Sequence, residues 1–303
     1  MITSKIPVFC IDSHVVTYNI LNTVGYYASA EPGRVVLPAK NQDSALEYAK
    51  IAIEWVNNLG FISPEYRPLT AIVVWLVDSV PYWRAKIYPD YKGNRGGKHD
   101  FFWAIDATVR SLVNPLAIPT YEADDLAALF CKLWQKRTPK SVAGTLYLCT
   151  IDTDWMGLVG EDRVWLDLGG YTPRFRHQYN FYSWLEKKME KVSKKNKELL
   201  EGQICRSDPT SIWRFKSVTG DRSDNLPPGS SIELIDLFAP PPDYRLWENP
   251  AMEQLALKRL RVPRPFNFDR TFDQLRQMYL LGYEPPIKPI VESLYAVKPL
   301  EMV

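Results

Sequence analysis

Glu122, Asp124 and Asp125 fall within four residues, directly ahead of Leu126, Leu129, Phe130, Leu133 and Trp134 at helical spacing. Acids at a helix start are favoured by the amide dipoles of the first turn, which accounts for one or two of them. Three are harder to place, because like charges about 4 Å apart repel by about 4 kcal/mol at an effective dielectric near 20. Either they splay into water or a cation holds them. Asp12, Asp78, Asp152, Asp154, Asp221 and Asp224 stand at the ends of other expected elements and are placed to join them. A site rich in carboxylates selects hard cations, Mg²⁺ or Mn²⁺. His14, His99 and His177 are scattered and read as structural or exposed, and no Cys/His cluster suggests zinc. Two such ions can activate water and stabilise the leaving oxygen of a phosphodiester.

The elements that must gather these acids are legible as apolar runs. Residues 6–11, 69–77 and 146–151 read as buried strands, and each is closed by an aspartate: Asp12, Asp78 and Asp152. One aspartate after a strand is ordinary turn chemistry; three alike point to a shared edge. A helix is expected from Asp43, with one face marked by Ala45, Leu46, Ala49, Ile53, Val56 and Leu59, and Gly60 at its end. Strands alternating with helices describe an α/β chain: a mostly parallel central sheet with helices on both faces and a smaller helical C-terminal region. In such sheets ligands bind outside the carboxyl ends of the strands. The division expected is 1–178 for the α/β core and 179–303 for the helical region, which carries the loop with Asp221 and Asp224.

At 303 residues, with 46% hydrophobic and 13% aromatic content, the chain has material for a sizeable core. A net charge of +2 says little by itself, so partners are read from where charges sit. Cys10, Cys131, Cys149 and Cys205 show no paired spacing, which suits a reducing, cytoplasmic setting. No signal-peptide pattern and no run long enough to cross a bilayer is seen, so no membrane association is expected.

Between the second strand and the acidic helix, Arg84, Lys86, Lys92, Arg95 and Lys98 alternate with Tyr82, Trp83, Tyr88, Tyr91 and Trp103. Basic and aromatic residues interleaved suit a phosphate backbone and stacked bases; a solvated loop with a few rings in the core is the plainer alternative. Pro89 and glycines 93, 96 and 97 argue against a continuous helix there. Farther on, a long polar helix is expected over 181–200, with most lysines on an exposed face. A helix closed by Gly220 precedes the Asp221–Asp224 loop, two short helices are expected near 250–261 and 271–281, and a Pro-rich tail follows from 285. Carboxylates with a basic, aromatic segment imply metal-assisted hydrolysis of nucleic acid.

Four stretches taken in order, YKGNR at 91–95, YEADDLAA at 121–128, IDTDW at 151–155 and FKSVTGDRSDNLPPG at 215–229, resemble the 5′-nucleases. That family comprises flap endonucleases and the 5′→3′ exonuclease domains of bacterial DNA polymerases; its fold is 5′-nuclease/PIN-like. Length and the YWR…YKGNRGGK stretch are most similar to the ribonuclease H type of T-even phages, which removes RNA primers. The resemblance implies two Mg²⁺ ions, with Mn²⁺ a possible substitute. Asp12, Asp78, Glu122, Asp124 and Asp152 would surround the first ion, directly or through water. Asp154, Asp221 and Asp224 would serve the second, and Asp125 would help at either. Lys92 would steady the scissile phosphate, and Asp154 and Lys92 would be the catalytic pair to test. Tyr91 would stack on a terminal base, while Arg84, Arg95 and Lys98 would bind substrate.

The resemblance further implies an arch over 86–112 that passes a 5′ single strand, products with a 5′-phosphate and a 3′-hydroxyl, and action on forked or flapped duplexes or RNA–DNA hybrids in replication. A monomer is expected, with a single-strand-binding protein or sliding clamp as a further partner. One departure is plain. After Asn225 the chain reads LPPGSSIELIDLFAPPPDY, without the GIGxKxA element that grips duplex DNA in many members. Lys258, Arg259, Arg261 and Arg264 are the substitute candidates. Two other readings stand beside this one: a catalytically silent nucleic-acid-binding relative, and a HAD-like phosphatase suggested by Asp152-Thr153-Asp154.

Overall fold

A computed structural model describes residues 6–24, 42–62, 67–98, 100–137, 143–168, 174–176, 178–205, 207–227, 254, 257–260, 264–266, 268–283 and 286. Its centre is a sheet of strands β1 (Ile6–Asp12), β2 (Thr70–Leu76), β3 (Ala143–Thr150), β4 (Arg163–Asp167), β5 (Arg174–Arg176) and β6 (Arg264–Pro265), in the order β5-β4-β3-β1-β2-β6. β1 pairs in parallel with β2 and β3, and β3 in parallel with β4. The two edge strands β5 and β6 are antiparallel. The mostly parallel sheet expected from the sequence is therefore present.

Helices cover both faces, and side-chain alternation along the strands sorts two cores. Val8 and Cys10 of β1 face α5 (Ala123–Arg137) and α8 (Ser211–Thr219). Phe9 and Ile11 face α1 (Ser13–Thr23), α2 (Gln42–Asn57), α4 (Asp100–Val113) and α9 (Phe268–Leu280). The chain leaves β1 over one face to reach β2 and crosses by α5 over the other to reach β3. That reversal opens a crevice at the carboxyl ends of β1 and β3. Asp12 ends β1, and Asp152 follows β3 by two residues.

Some elements differ from expectation. The polar helix over 181–200 is two helices, α6 (Gln178–Glu190) and α7 (Lys194–Leu200). Ser193 caps the second by accepting from Asn196 N at 3.3 Å, while Val192 packs against the first core. Between Tyr82 and Trp103 the chain forms a single helical turn, α3 (Arg84–Ile87), then tight turns to residue 94, then α4. Of the two short helices expected near the C-terminal end, α9 is observed. The region 250–261 is described only at 254 and 257–260, and the Pro-rich tail lies outside the described residues apart from Pro286.

Candidate metal centre

The acids at the strand ends are each held by a backbone amide, local for Asp12 and Asp152 and long-range for Asp78. Asp12 caps α1, accepting from His14 N at 3.0 Å, and takes the Thr150 hydroxyl at 2.7 Å. Asp152 caps a short 3₁₀ helix, Thr153–Leu158, by accepting from Asp154 N at 3.0 Å. Asp78 accepts from Ala123 N at 2.8 Å, which ties the end of β2 to the start of α5. These hydrogen bonds fix the direction in which each carboxylate points.

Two indoles hold the next acids. Trp155 Nε1 donates to Asp124 Oδ1 at 2.6 Å, and Trp213 Nε1 donates to the Asp154 carbonyl at 3.0 Å. Trp213 packs so closely on Gly157 that a Cβ there would lie 2.4 Å from the ring. Only glycine leaves room for that indole. The last loop is turned by Gly220, at φ +76°, and its Asp221 N and Leu226 O close a tight turn at 3.0 Å.

The result is two carboxylate triads that share one member. Oxygens of Asp124, Asp152 and Asp154 lie within 4.8 Å of one another, and so do those of Asp154, Asp221 and Asp224. Burial pushes Asp154 up to about 7, with Lys216 opposing and Asp152 adding to the rise. Burial also pushes Asp124 well up, reinforced by Asp152 and Glu122. Carboxylates that resist ionisation because they are buried together are what a divalent cation relieves. The all-oxygen donor set fits Mg²⁺ or Mn²⁺.

The acids open onto a cleft of about 680 Å³, lined among others by Asp12, Asp78, Asp124, Asp152 and Asp221. Lys92, Arg95, Lys98 and Lys216 share its walls. Lys92, at φ +57°, ion-pairs with Glu122 and lies 3.9 Å from Asp224 Oδ1. Burial works against its charge, but Glu122, Asp224 and Asp78 hold it firmly protonated. Arg95 is half exposed and reaches Asp224 Oδ1 at 2.7 Å. Lys98 lies 4.0 Å over the Phe102 ring and 5.2 Å from the centre of Trp103. Burial lowers Lys98 to about 8, against the pull of Asp78.

Several expected roles meet a different geometry. Arg84 is 1% exposed and lies beneath the site, its guanidinium 2.7 Å from Glu122 Oε2 and 2.8 Å from Asp125 Oδ1. It supports the acidic helix and does not face a substrate phosphate. Both Asp125 oxygens are engaged there, Oδ2 also by Trp83 Nε1 at 2.9 Å and Glu122 N at 3.0 Å, so Asp125 is turned away from the triads. Tyr91 is 6% exposed, with its hydroxyl donating to Glu122 Oε2 at 3.0 Å, a position that leaves no open ring face for a base. Asp12, Asp78 and Glu122 flank the triads without joining either within 4.8 Å. Among the substitute basic residues, Arg264 donates to Asn57 and Arg259 to Asn114, Lys258 is exposed, and Arg261 lies outside the described residues.

Two participants escaped the sequence reading. His14 places Nδ1 3.2 Å from Asp78 Oδ2 and Nε2 3.4 Å from Lys98 Nζ. Its position two residues after Asp12 was the available signal. Lys216 lies 2.6 Å from Asp154 Oδ1 and 2.9 Å from Asp221 Oδ2. In sequence it is one more polar position of an amphipathic helix.

No family model matches the chain, and no curated protein does. Solved structures do. A mutant of the T5 5′-exonuclease is 14% identical, with a TM-score of 0.44 over 97% of this chain and 92% of that one. The T5 5′-exonuclease with divalent metal ions (zinc) bound is 17% identical, with a TM-score of 0.46 over 97% and 94%. The bacteriophage T5 D15 flap endonuclease in a pseudo-enzyme-product complex with DNA and metal ions is 16% identical, with a TM-score of 0.42 over 95% and 98%. Likeness at this level does not say which chemistry these side chains perform. The functional reading rests on the carboxylates and the cleft.

Proposed function

We propose that this chain is a metal-dependent 5′-nuclease that hydrolyses phosphodiester bonds in 5′ flaps or RNA primers on forked duplexes. The observation that carries the reading is the pair of triads sharing the buried Asp154, with Asp124, Asp152 and Asp221 lining a cleft whose walls are cationic. Asp124, Asp152 and Asp154 would hold one Mg²⁺, and Asp154, Asp221 and Asp224 a second, with Mn²⁺ able to replace it. Bound divalent ions supply an activated water and charge stabilisation at the leaving oxygen. Asp12 and Asp78, at the cleft wall, suit contact through water.

The protein's own groups do the rest. Lys92 and Arg95 present fixed positive charge beside the acids, which suits a phosphate held against them. Lys98 and the half-exposed Trp103 extend that wall, an arrangement suited to a backbone and a stacked base. A phosphate monoesterase would need no wall of this kind. A silent binding relative would not need nine carboxylates in one neighbourhood.

The test is a labelled 5′-flap duplex incubated with Mg²⁺ and, in parallel, with EDTA. Metal-dependent release of the flap, leaving a 5′-phosphate and a 3′-hydroxyl, is expected. Binding without cleavage would favour the silent relative, and turnover of a small phosphate ester alone would favour the phosphatase.

A further inference from the structure

The two triads are not electrostatically equal. All three acids of the Asp154–Asp221–Asp224 triad are met by cations, Asp154 and Asp221 by Lys216 and Asp224 by Arg95 at 2.7 Å. The Lys216 ammonium lies 2.6 Å from Asp154 Oδ1, the member common to both triads, and 2.9 Å from Asp221 Oδ2, so it holds two acids of this triad and one of the other. Lys216 leaves the last turn of α8, and its side chain is 12% exposed. Its Nζ therefore occupies the space between two of the three carboxylates in the Asp154–Asp221–Asp224 triad.

We propose that Lys216 is an internal stand-in cation: it neutralises this triad in the metal-free protein, and a divalent ion enters there only by displacing it. The proposal rests on the metal-centre reading above. An ammonium bound to the same oxygens as an incoming ion must give them up, since two cations at such distances repel strongly in a partly buried site. Filling is then ordered. The Asp124–Asp152–Asp154 triad, of which Lys216 holds one member, loads first, and the other, of which it holds two, loads at higher ion concentration. Lys216 already lines the cleft, so its released ammonium has an anionic destination when a nucleic-acid phosphate is present. Substrate should therefore ease loading of the second triad, and the residue acts as a positioning group that couples ion occupancy to substrate.

The proposal is tested with Mn²⁺ and the full chain, without nucleic acid, by titration calorimetry on the wild type, Lys216→Met and Lys216→Arg. The wild type is expected to bind two ions with unequal affinity. Lys216→Met should tighten the weaker site by about tenfold as the competing charge is removed, and Lys216→Arg should keep the gap. An unchanged weaker site in Lys216→Met overturns the proposal while leaving the metal-centre reading intact. A wild type that binds no Mn²⁺ overturns both.

Thermal unfolding guards against a variant that is merely less stable. Without metal, Lys216→Met should melt below the wild type, and Mn²⁺ should raise its Tm by more than it raises that of the wild type. Equal rises would also overturn the proposal.

Discussion

The Arg84 guanidinium meets Asp125 through two parallel contacts, Nη2–Oδ1 at 2.8 Å and Nη1–Oδ2 at 2.9 Å, and this pair, shut away from solvent, anchors the acidic helix. Nη1 also reaches Glu122 Oε2 at 2.7 Å, so one cation serves two of the three clustered acids. Burial alone would weaken the charge, but Asp125 and Glu122 keep the guanidinium firmly protonated. Removing it leaves two buried carboxylates with reduced compensation. Arg84→Met should cost about 3–5 kcal/mol of stability in urea unfolding, with Arg84→Lys recovering part of it. A loss under about 1 kcal/mol, the range of a solvated surface pair, would show that the pair does not anchor the helix.

Lys92→Ala should lower cleavage by about 10²–10³-fold, the range for losing one aligned electrostatic contact at a reacting centre. Glu122 retains Arg84, so circular dichroism should show an intact fold. Asp154→Asn should fall at least as far, because Asp154 belongs to both triads. Turnover close to wild type at saturating Mg²⁺ by either variant would remove its assigned role.

Gly220→Ala combines two faults. At φ +76° an L side chain is strained, and the added Cβ would lie 2.5 Å from the Pro227 carbonyl oxygen. The backbone must shift, taking Asp221 and Asp224 with it. The expected outcome is a stability loss of about 1–3 kcal/mol and weaker Mn²⁺ binding. Binding equal to wild type would mean that the loop's carboxylates do not hold an ion.

The acids also set a pH dependence that bound metal should remove. Asp12 is pushed from 3.8 to about 6 by burial and then by Asp78, and Asp154 to about 7 chiefly by burial. An acid with a higher value folded than unfolded takes up a proton on folding, so its contribution to stability falls as pH rises from about 4 to 7. Asp78 behaves oppositely. Burial raises it, but His14 and Lys92 outweigh that and hold it well below the usual range, so its stabilisation is lost only in stronger acid. In EDTA, Tm should therefore decline between pH 5 and 7.5 by a few degrees. Bound Mn²⁺ favours the ionised carboxylates and should abolish the decline, with proton release seen as a buffer-dependent binding enthalpy. A Tm that rises with pH in EDTA would contradict the assignment.

How much of this was legible in the sequence depended on pattern length. β1, β2 and β3 declare themselves because mostly apolar runs of six or more residues end on an aspartate. β4 does not: its apolar run is only Val164-Trp165-Leu166, too short to separate from a loop. α1 was hidden because SHVVTYNILNT carries β-branched residues that read as strand; the Asp12 cap and burial against α4 decide it as helix. The types of the site residues were readable, and their directions were not. Asp124 and Asp125 are consecutive, yet the helical turn between them sends one to the cleft side and the other to Arg84. The four-residue α3 gives no periodicity from which Arg84's inward aim could be read. Lys216 was invisible for a related reason, since its partners Asp154 and Asp221 become neighbours only when α8 docks.

The central place of β1 has a bearing on how the molecule comes into being. The first strand made is flanked by two that are made later, β2 and then β3, which ends at Thr150. No fragment that stops short of that residue encloses the crevice, and none that stops before Asp224 supplies all the carboxylates. A growing chain thus has the acids of the Asp124–Asp152–Asp154 triad in hand before the Asp221–Asp224 loop that completes the second one.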